Sequence, residues 1–94
     1  MKKRIAILGS TGSIGQSTLD VIKKNKRNFK VILLTANNNY KKLINQAIQF
    51  KAENVLIKNH NFYSKVKKSL KKTKVYSGDV SLKKIITGKL DYTM

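Results

Sequence analysis

The chain has 94 residues and a mass of 10.7 kDa, the size of one domain or part of one, which excludes a large two-domain enzyme within these residues. Its 21 Lys and Arg stand against 4 Asp and Glu, a formal charge of +17, but 19 of the cations are Lys, and Asn (9) and Ile (10) are also abundant. An AT-rich coding sequence produces that mixture unaided, so the charge is weak support for a nucleic-acid partner.

In chain order, Lys3 to Leu8 reads as a short aliphatic strand, and Gly9 to Gly15 as a turn with three glycines at spacing three. The apolar run Ile5 to Leu8 is far too short for a signal-peptide core or a membrane span. A helix is expected next, with Ile14, Thr18, Val21 and Ile22 on one face, fading out over Lys23 to Asn28. Phe29 to Thr35 is a nearly continuous apolar, β-branched run, as for a strand buried on both faces of a parallel sheet. After the loop Asn37–Asn38–Asn39, residues Tyr40, Leu43, Ile44, Ala47 and Ile48 mark a second helix, and Asn54 to Ile57 a third strand. Phe62, Val66 and Leu70 mark a third, Lys-rich helix, and Lys74 to Ser77 a fourth strand. Leu82, Ile85 and Ile86 mark a short fourth helix, with Asp79 or Ser81 as N-cap. Tyr92 to Met94 stands where the rhythm calls for strand five.

Alternating βα units with short connections predict an α/β fold, a Rossmann-like parallel sheet of about four strands and four helices, left incomplete. In a dinucleotide-binding half-fold the strand order is 3-2-1-4, with the first turn at the switch point where ligands bind. No linker, repeat or low-complexity tract divides residues 1–94.

The turn Gly9-Ser10-Thr11-Gly12-Ser13-Ile14-Gly15 follows a predicted strand and opens a predicted helix, the context that gives a glycine pattern its meaning. Gly9 suits the tight turn, Gly12 lets backbone approach a pyrophosphate, and Gly15 allows the helix to pack closely on the sheet. Amide groups of Thr11 to Ile14 would cradle phosphates, aided by the helix dipole. A glycine-rich turn without a ligand is the alternative, and no Gly-Lys-Ser/Thr follows to make a P-loop.

Folds that prefer NAD place an Asp or Glu at the end of strand two to hold the ribose hydroxyls. Here no carboxylate occurs between Asp20 and Glu53, and the strand ends in Thr35-Ala36-Asn37-Asn38-Asn39 with Lys41 and Lys42 beyond. Amide donors and cations without a repelling acid favour a 2′-phosphate, hence NADP, although any one asparagine serves equally well as a helix cap. His60, Glu53, Asp79, Asp91 and Asp20 form no pairing that suggests acid/base work or a metal site. The Lys-rich helix reads as a solvated face. Cysteine is absent, which excludes disulfides, a thiolate nucleophile and a Cys-ligated metal and points to a reducing, cytoplasmic setting.

The run Ile7-Leu8-Gly9-Ser10-Thr11-Gly12-Ser13-Ile14-Gly15, continued by Ser17-Thr18-Leu19-Asp20-Val21, resembles the N-terminus of the 1-deoxy-D-xylulose 5-phosphate reductoisomerase family. A looser Gly-x-Thr-Gly-x-x-Gly occurs in other NADP enzymes such as the semialdehyde dehydrogenases. The continuation through Ser-Thr-Leu-Asp-Val is what singles this family out. Leu34 to Asn39 and the helix from Leu43 to Phe50 fit it less sharply.

The resemblance implies an NADPH-dependent oxidoreductase that also requires a divalent metal, Mg or Mn. It acts in non-mevalonate isoprenoid biosynthesis, converting 1-deoxy-D-xylulose 5-phosphate into 2-C-methyl-D-erythritol 4-phosphate by rearrangement and hydride transfer. By carry-over, Thr11, Gly12, Ser13 and Ile14 would contact the cofactor phosphates, and Asn37, Asn38 and Asn39 would face the adenosine ribose and its 2′-phosphate. Family members often have a Gly, Ser or Ala and then a Lys or Arg where this chain has Asn37 and Asn38, a departure that weakens the expected grip on that phosphate. The family's Asn-Lys-Glu stretch, acidic metal ligands, substrate-phosphate site and lid all lie beyond Met94. Residues 1–94 are therefore expected to be the first part of an NADPH-binding domain, with no catalytic residue, no metal ligand and no turnover of their own. At full length a soluble, cytoplasmic homodimer is expected, with no nucleic acid or membrane partner. Two alternatives are another NADP-dependent reductase of the semialdehyde dehydrogenase kind and a small basic nucleic-acid-binding module.

Overall fold

A computed structural model describes residues 2–86, 88 and 90–94. The strands are β1 (Lys3–Ile7), β2 (Phe29–Ala36), β3 (Asn54–Ile57), β4 (Lys74–Ser77) and β5 (Tyr92–Thr93). Between them run α1 (Ser13–Lys24), α2 (Tyr40–Phe50), α3 (Tyr63–Ser69) and the single turn α4 (Leu82–Ile85), with short 3-10 segments at Lys26–Asn28 and His60–Phe62. All strand pairs are parallel, in the order β4-β3-β2-β1-β5. The parallel α/β architecture matches the expected alternation, and the residues from Tyr92 supply the strand the rhythm called for.

The lateral order differs from the expected 3-2-1-4. Strand β4 lies outside β3, and the place beside β1 belongs to β5. Three successive units step the same way before the chain reverses, and the reversal accompanies a change of face. Helices α1, α2 and α3 cover one side of the sheet, where Leu19, Ile22, Leu43, Ala47, Val66 and Leu70 pack on strand residues such as Ile5, Ile7 and Val55. On the other side Ile85 of α4, with Leu82 and Ile86, packs on Ala6 and Leu33. The first βα turn still sits at the switch point, now between β1 and β5. Its right-hand neighbour is secured by Asp91 N–H to Arg4 O (2.8 Å), Met94 N–H to Ala6 O (2.9 Å) and Leu8 N–H to Met94 O (2.9 Å).

Strand β2 carries one residue more than β1 beside it: Ile5 pairs with Val31, and Ala6 with Leu33. Because side chains alternate along a strand, skipping Ile32 flips the parity. Val31 therefore shares the three-helix face with Leu34 and Ala36, while Leu33 turns to the other side. The unbroken apolar run of β2 is what allows either parity to be buried.

Helix α1 buries Gly15, Leu19 and Ile22. The expected face through Ile14 and Val21 is wrong by one position: those side chains are 81% and 57% exposed. The close approach of Gly15 to the preceding turn sets the rotation of the helix, and it outranks the apolar periodicity. In α2 the buried positions are Leu43, Gln46 and Ala47, whereas Ile48 is exposed. Ser81, not Asp79, caps α4, accepting from Lys83 N–H at 3.3 Å.

Candidate functional site

The C-terminal ends of the strands carry the turns from which a site can be built. After β1, Gly9 adopts φ +68°, the left-handed conformation that L-side chains resist. The chain then folds so that Gly12 N–H donates to Gly9 O at 3.0 Å and Gln16 Nε2 donates to Thr11 O at 2.8 Å. Of the amides from Thr11 to Ile14, that of Gly12 is thus occupied by the turn itself and does not face a ligand.

The other two glycines have different causes. A Cβ on residue 15 would lie 2.5 Å from Gly9 O and 2.6 Å from Ser10 Cα, so the fold itself requires glycine there. A Cβ on residue 12 would meet only Gly9 O at 3.4 Å, an ordinary contact. Nothing in the chain's own packing demands glycine at 12, and the position faces outward at the mouth of α1. A small residue with no internal reason to be small is what a group approaching from outside requires.

Gly12 is also the N-cap of α1, without a side-chain acceptor, and no acid stands in the first turn. The opening amides of a helix have no intrahelical partner. Here Ser13, Ile14 and Gly15 occupy those positions beneath an uncompensated positive dipole end, which suits an anion. Ser13 and Ile14 are exposed, Thr11 is half-buried, and Gly15 is buried. The structure brings Thr11, Gly12, Ser13 and Ile14 together at this one mouth.

Two elements brace the turn. From β2, Thr35 Oγ1 accepts from Gly9 N–H at 2.8 Å, and Thr35 O accepts from Ser10 N–H at 2.8 Å. From α2, the buried Gln46 accepts from Ser10 Oγ at 2.7 Å and donates to Ser10 O at 2.9 Å. Ser10 is fully buried and all its polar atoms are engaged.

The second cluster lies after β2, one strand away. Asn39 caps α2, its Oδ1 accepting from Lys42 N–H at 3.2 Å. Asn38 Oδ1 accepts from Asn59 Nδ2 at 2.8 Å, which ties the loop to the end of β3. Asn37 is exposed, and its carbonyl accepts from Asn59 N–H at 2.9 Å. Of the three asparagines, Asn39 is committed to the cap and Asn38 to its neighbour, which leaves the Asn37 side chain as the outward-facing amide. Leu8, Gly9, Thr35, Asn37, Lys58 and Asp79 line a shallow groove across the strand ends. In it Lys58 Nζ lies 3.9 Å from Asp79 Oδ1, both side chains mostly exposed. Thr35, Gln46, Lys58 and Asn59 were not singled out by sequence. A polar residue on the apolar face of α2, between Leu43 and Ala47, was the visible sign of Gln46.

Among the described residues no three His, Cys, Asp or Glu side chains gather where they could hold a metal ion. No helix is long and apolar enough to cross a membrane.

A parallel sheet with a glycine turn leading into an uncapped helix at its switch point is the architecture of dinucleotide-binding α/β domains. The family model of 1-deoxy-D-xylulose 5-phosphate reductoisomerase matches residues 5–94. The chain therefore belongs to the 1-deoxy-D-xylulose 5-phosphate reductoisomerase family. It is 49% identical to the reductoisomerase of Pelagibacter ubique over 98% of this chain and 25% of that protein. It is 44% identical to that of Bacteroides fragilis over 99% of this chain and 25% of that protein. Among solved structures, the Zymomonas mobilis reductoisomerase in complex with NADPH superposes with a TM-score of 0.80 at 36% identity, over 83% of this chain and 21% of that one. A reductoisomerase in complex with NADPH, fosmidomycin and magnesium gives 0.77 at 30% identity, over 82% of this chain and 20% of that one. The chain spans about a quarter of the length of the curated relatives it matches. Family membership displaces the semialdehyde dehydrogenase alternative.

Proposed function

We propose that these residues form the NADPH-binding segment of a 1-deoxy-D-xylulose 5-phosphate reductoisomerase. The observation that carries the reading is Gly12: a glycine the fold does not need, at the mouth of a helix whose first amides have no intrahelical partner and no side-chain cap among the described residues. The residues present fit the cofactor. Thr11, Ser13 and Ile14 border the pyrophosphate, with donation from the α1 amides, and Gly12 gives it room. Asn37 faces the adenosine ribose and its 2′-phosphate, with Lys58 across the groove. Asn38 and Asn39 hold that loop in place.

Bound NADPH supplies the hydride for the family reaction, conversion of 1-deoxy-D-xylulose 5-phosphate to 2-C-methyl-D-erythritol 4-phosphate in isoprenoid biosynthesis. The part played by this segment is to fix the cofactor at the strand ends. The divalent metal, the substrate site and the catalytic groups belong to the other three-quarters of the relatives' length, and residues 1–94 alone are without turnover. The whole enzyme is a cytoplasmic homodimer in this reading.

Titration of the chain with NADPH, followed by nucleotide fluorescence, tests the reading. Saturable binding with preference over NADH is expected, and it should be lost in Gly12→Asp. Absence of binding at millimolar NADPH, or a salt-sensitive DNA complex indifferent to NADPH, would overturn it.

A further inference from the structure

The Gly9–Thr11 turn has few anchors of its own. It leaves β1 in a left-handed conformation at Gly9, and Gly12 folds back onto it. What fixes it from outside comes from two places, Thr35 and Gln46, which stand on either side of the Asn37–Asn39 loop in the chain. We propose that Gln46 is a positioning residue for the dinucleotide: acting through Ser10, it holds the phosphate turn in its binding geometry and in register with the Asn37 loop. This rests on the NADPH-binding reading of the preceding section.

The chemistry favours Gln over any other residue at 46. Its amide makes a two-point pairing with one residue, accepting from Ser10 Oγ at 2.7 Å and donating to Ser10 O at 2.9 Å. A carboxylate can do only the first, and an aliphatic side chain neither. Gln46 is 8% exposed and Ser10 0%, so water does not replace a lost partner, and an unmet buried polar group makes the turn shift to satisfy it. Ser10 N–H is held by Thr35 O at 2.8 Å, so the residue is gripped from β2 and α2 together. The strand that enters the Asn37–Asn39 loop and the helix that leaves it are thereby both tied to the turn. A dinucleotide fixes its pyrophosphate and its 2′-phosphate at a set separation, and a protein that binds both needs the two loops held at the matching one.

The test uses the full 94-residue chain with NADPH as the probe. Gln46→Leu is expected to raise the Kd by about tenfold, the size of one or two lost hydrogen bonds to a buried residue. Amide exchange at Ser10 and Thr11, measured without nucleotide, is expected to quicken. Ser10→Ala, a minimal change that retains the fold, removes only the hydroxyl and is expected to give a smaller rise. The double variant should bind no worse than Gln46→Leu alone, because both act through one pairing. Val66→Ala in α3, which loosens the core away from the turn, should lower the unfolding temperature and leave the Kd unchanged. Wild-type NADPH affinity in Gln46→Leu, strictly additive effects in the double variant, or an equal loss in Val66→Ala would overturn the proposal while the dinucleotide reading stands. A wild-type chain that does not bind NADPH overturns both.

Discussion

Asn54 donates its side-chain amide to the carbonyl of Ile32 at 2.9 Å, and Ile32 is the residue that the register between β1 and β2 skips. Asn54 opens β3 and is buried. A register shift leaves a backbone group at the mercy of whatever is nearby, and a buried carbonyl without a donor is costly. The asparagine thus stabilises the one irregular step of the central strand. Asn54→Ala is expected to reduce stability by about 1 kcal/mol or more, because it removes a buried hydrogen bond. Urea unfolding measures it; a midpoint equal to that of the wild type would show that the bond contributes nothing.

The glycines at 12 and 15 should separate binding from folding. Gly15→Ala places a methyl 2.5 Å from Gly9 O, and the backbone on both sides must yield, which costs about 1–3 kcal/mol or more. Gly12→Ala meets nothing closer than 3.4 Å and should unfold like the wild type, while its NADPH affinity falls about tenfold or more. Thermal unfolding and NADPH titration of the two variants, side by side, check the contrast. A Gly12→Ala chain with normal affinity would remove the main support for the phosphate site.

Lys58 should account for part of the preference for the 2′-phosphate. Its side chain pairs with Asp79, 3.9 Å away and almost wholly exposed, an ion pair too loose to compete with a phosphate dianion. In Lys58→Met the Kd for NADPH should rise several-fold and that for NADH stay level. Asp79→Asn should tighten NADPH slightly. Equal losses for both nucleotides would place Lys58 outside the 2′-phosphate subsite.

Two apolar residues of α1, two positions apart, should respond very differently to truncation. Leu19 is 3% exposed and packs in the core, so Leu19→Ala is expected to cost about 2–5 kcal/mol. Val21 is 57% exposed, and Val21→Ala should stay within about 0.5 kcal/mol of the wild type. Chemical denaturation of the pair decides whether the helix is rotated as described.

Much of the fold is legible in the sequence because burial of β-branched runs and the helical spacing of apolar residues are local signals. Strands Asn54–Ile57 and Lys74–Ser77 stand where the residues put them, and the glycine turn follows β1 as expected, although it ends at Gly12 and the last three residues of the stretch read as turn, Ser13 to Gly15, already belong to α1. Lateral order is another matter: alternation says that a strand follows a helix, and nothing in Lys74–Ser77 says which edge it joins. The face of α1 misleads for a physical reason. Ile14 and Val21 carry the larger apolar signal, yet one atomic contact, Gly15 against Gly9 and Ser10, turns the helix away from it. The asparagine loop stands where the sequence predicts one, but its three members look alike in sequence and differ by their partners, Lys42 for Asn39 and Asn59 for Asn38. Gln46 lay hidden because its partner is 36 residues away.

Among the described residues, strand β1, which leads into the phosphate turn, is clasped on its far side by residues 91–94, through their backbone and through the Asp91 side chain, which accepts from Arg4 N–H at 2.8 Å. A polypeptide is made from its N-terminus, so on the ribosome the first strand exists long before that clasp. Until the segment from Asp91 emerges, β1 can pair only with β2, and one full edge of it is open to any extended chain nearby. The binding turn is thus made before the segment that closes the far edge of its own strand, and until that segment emerges the strand carries an unpaired edge.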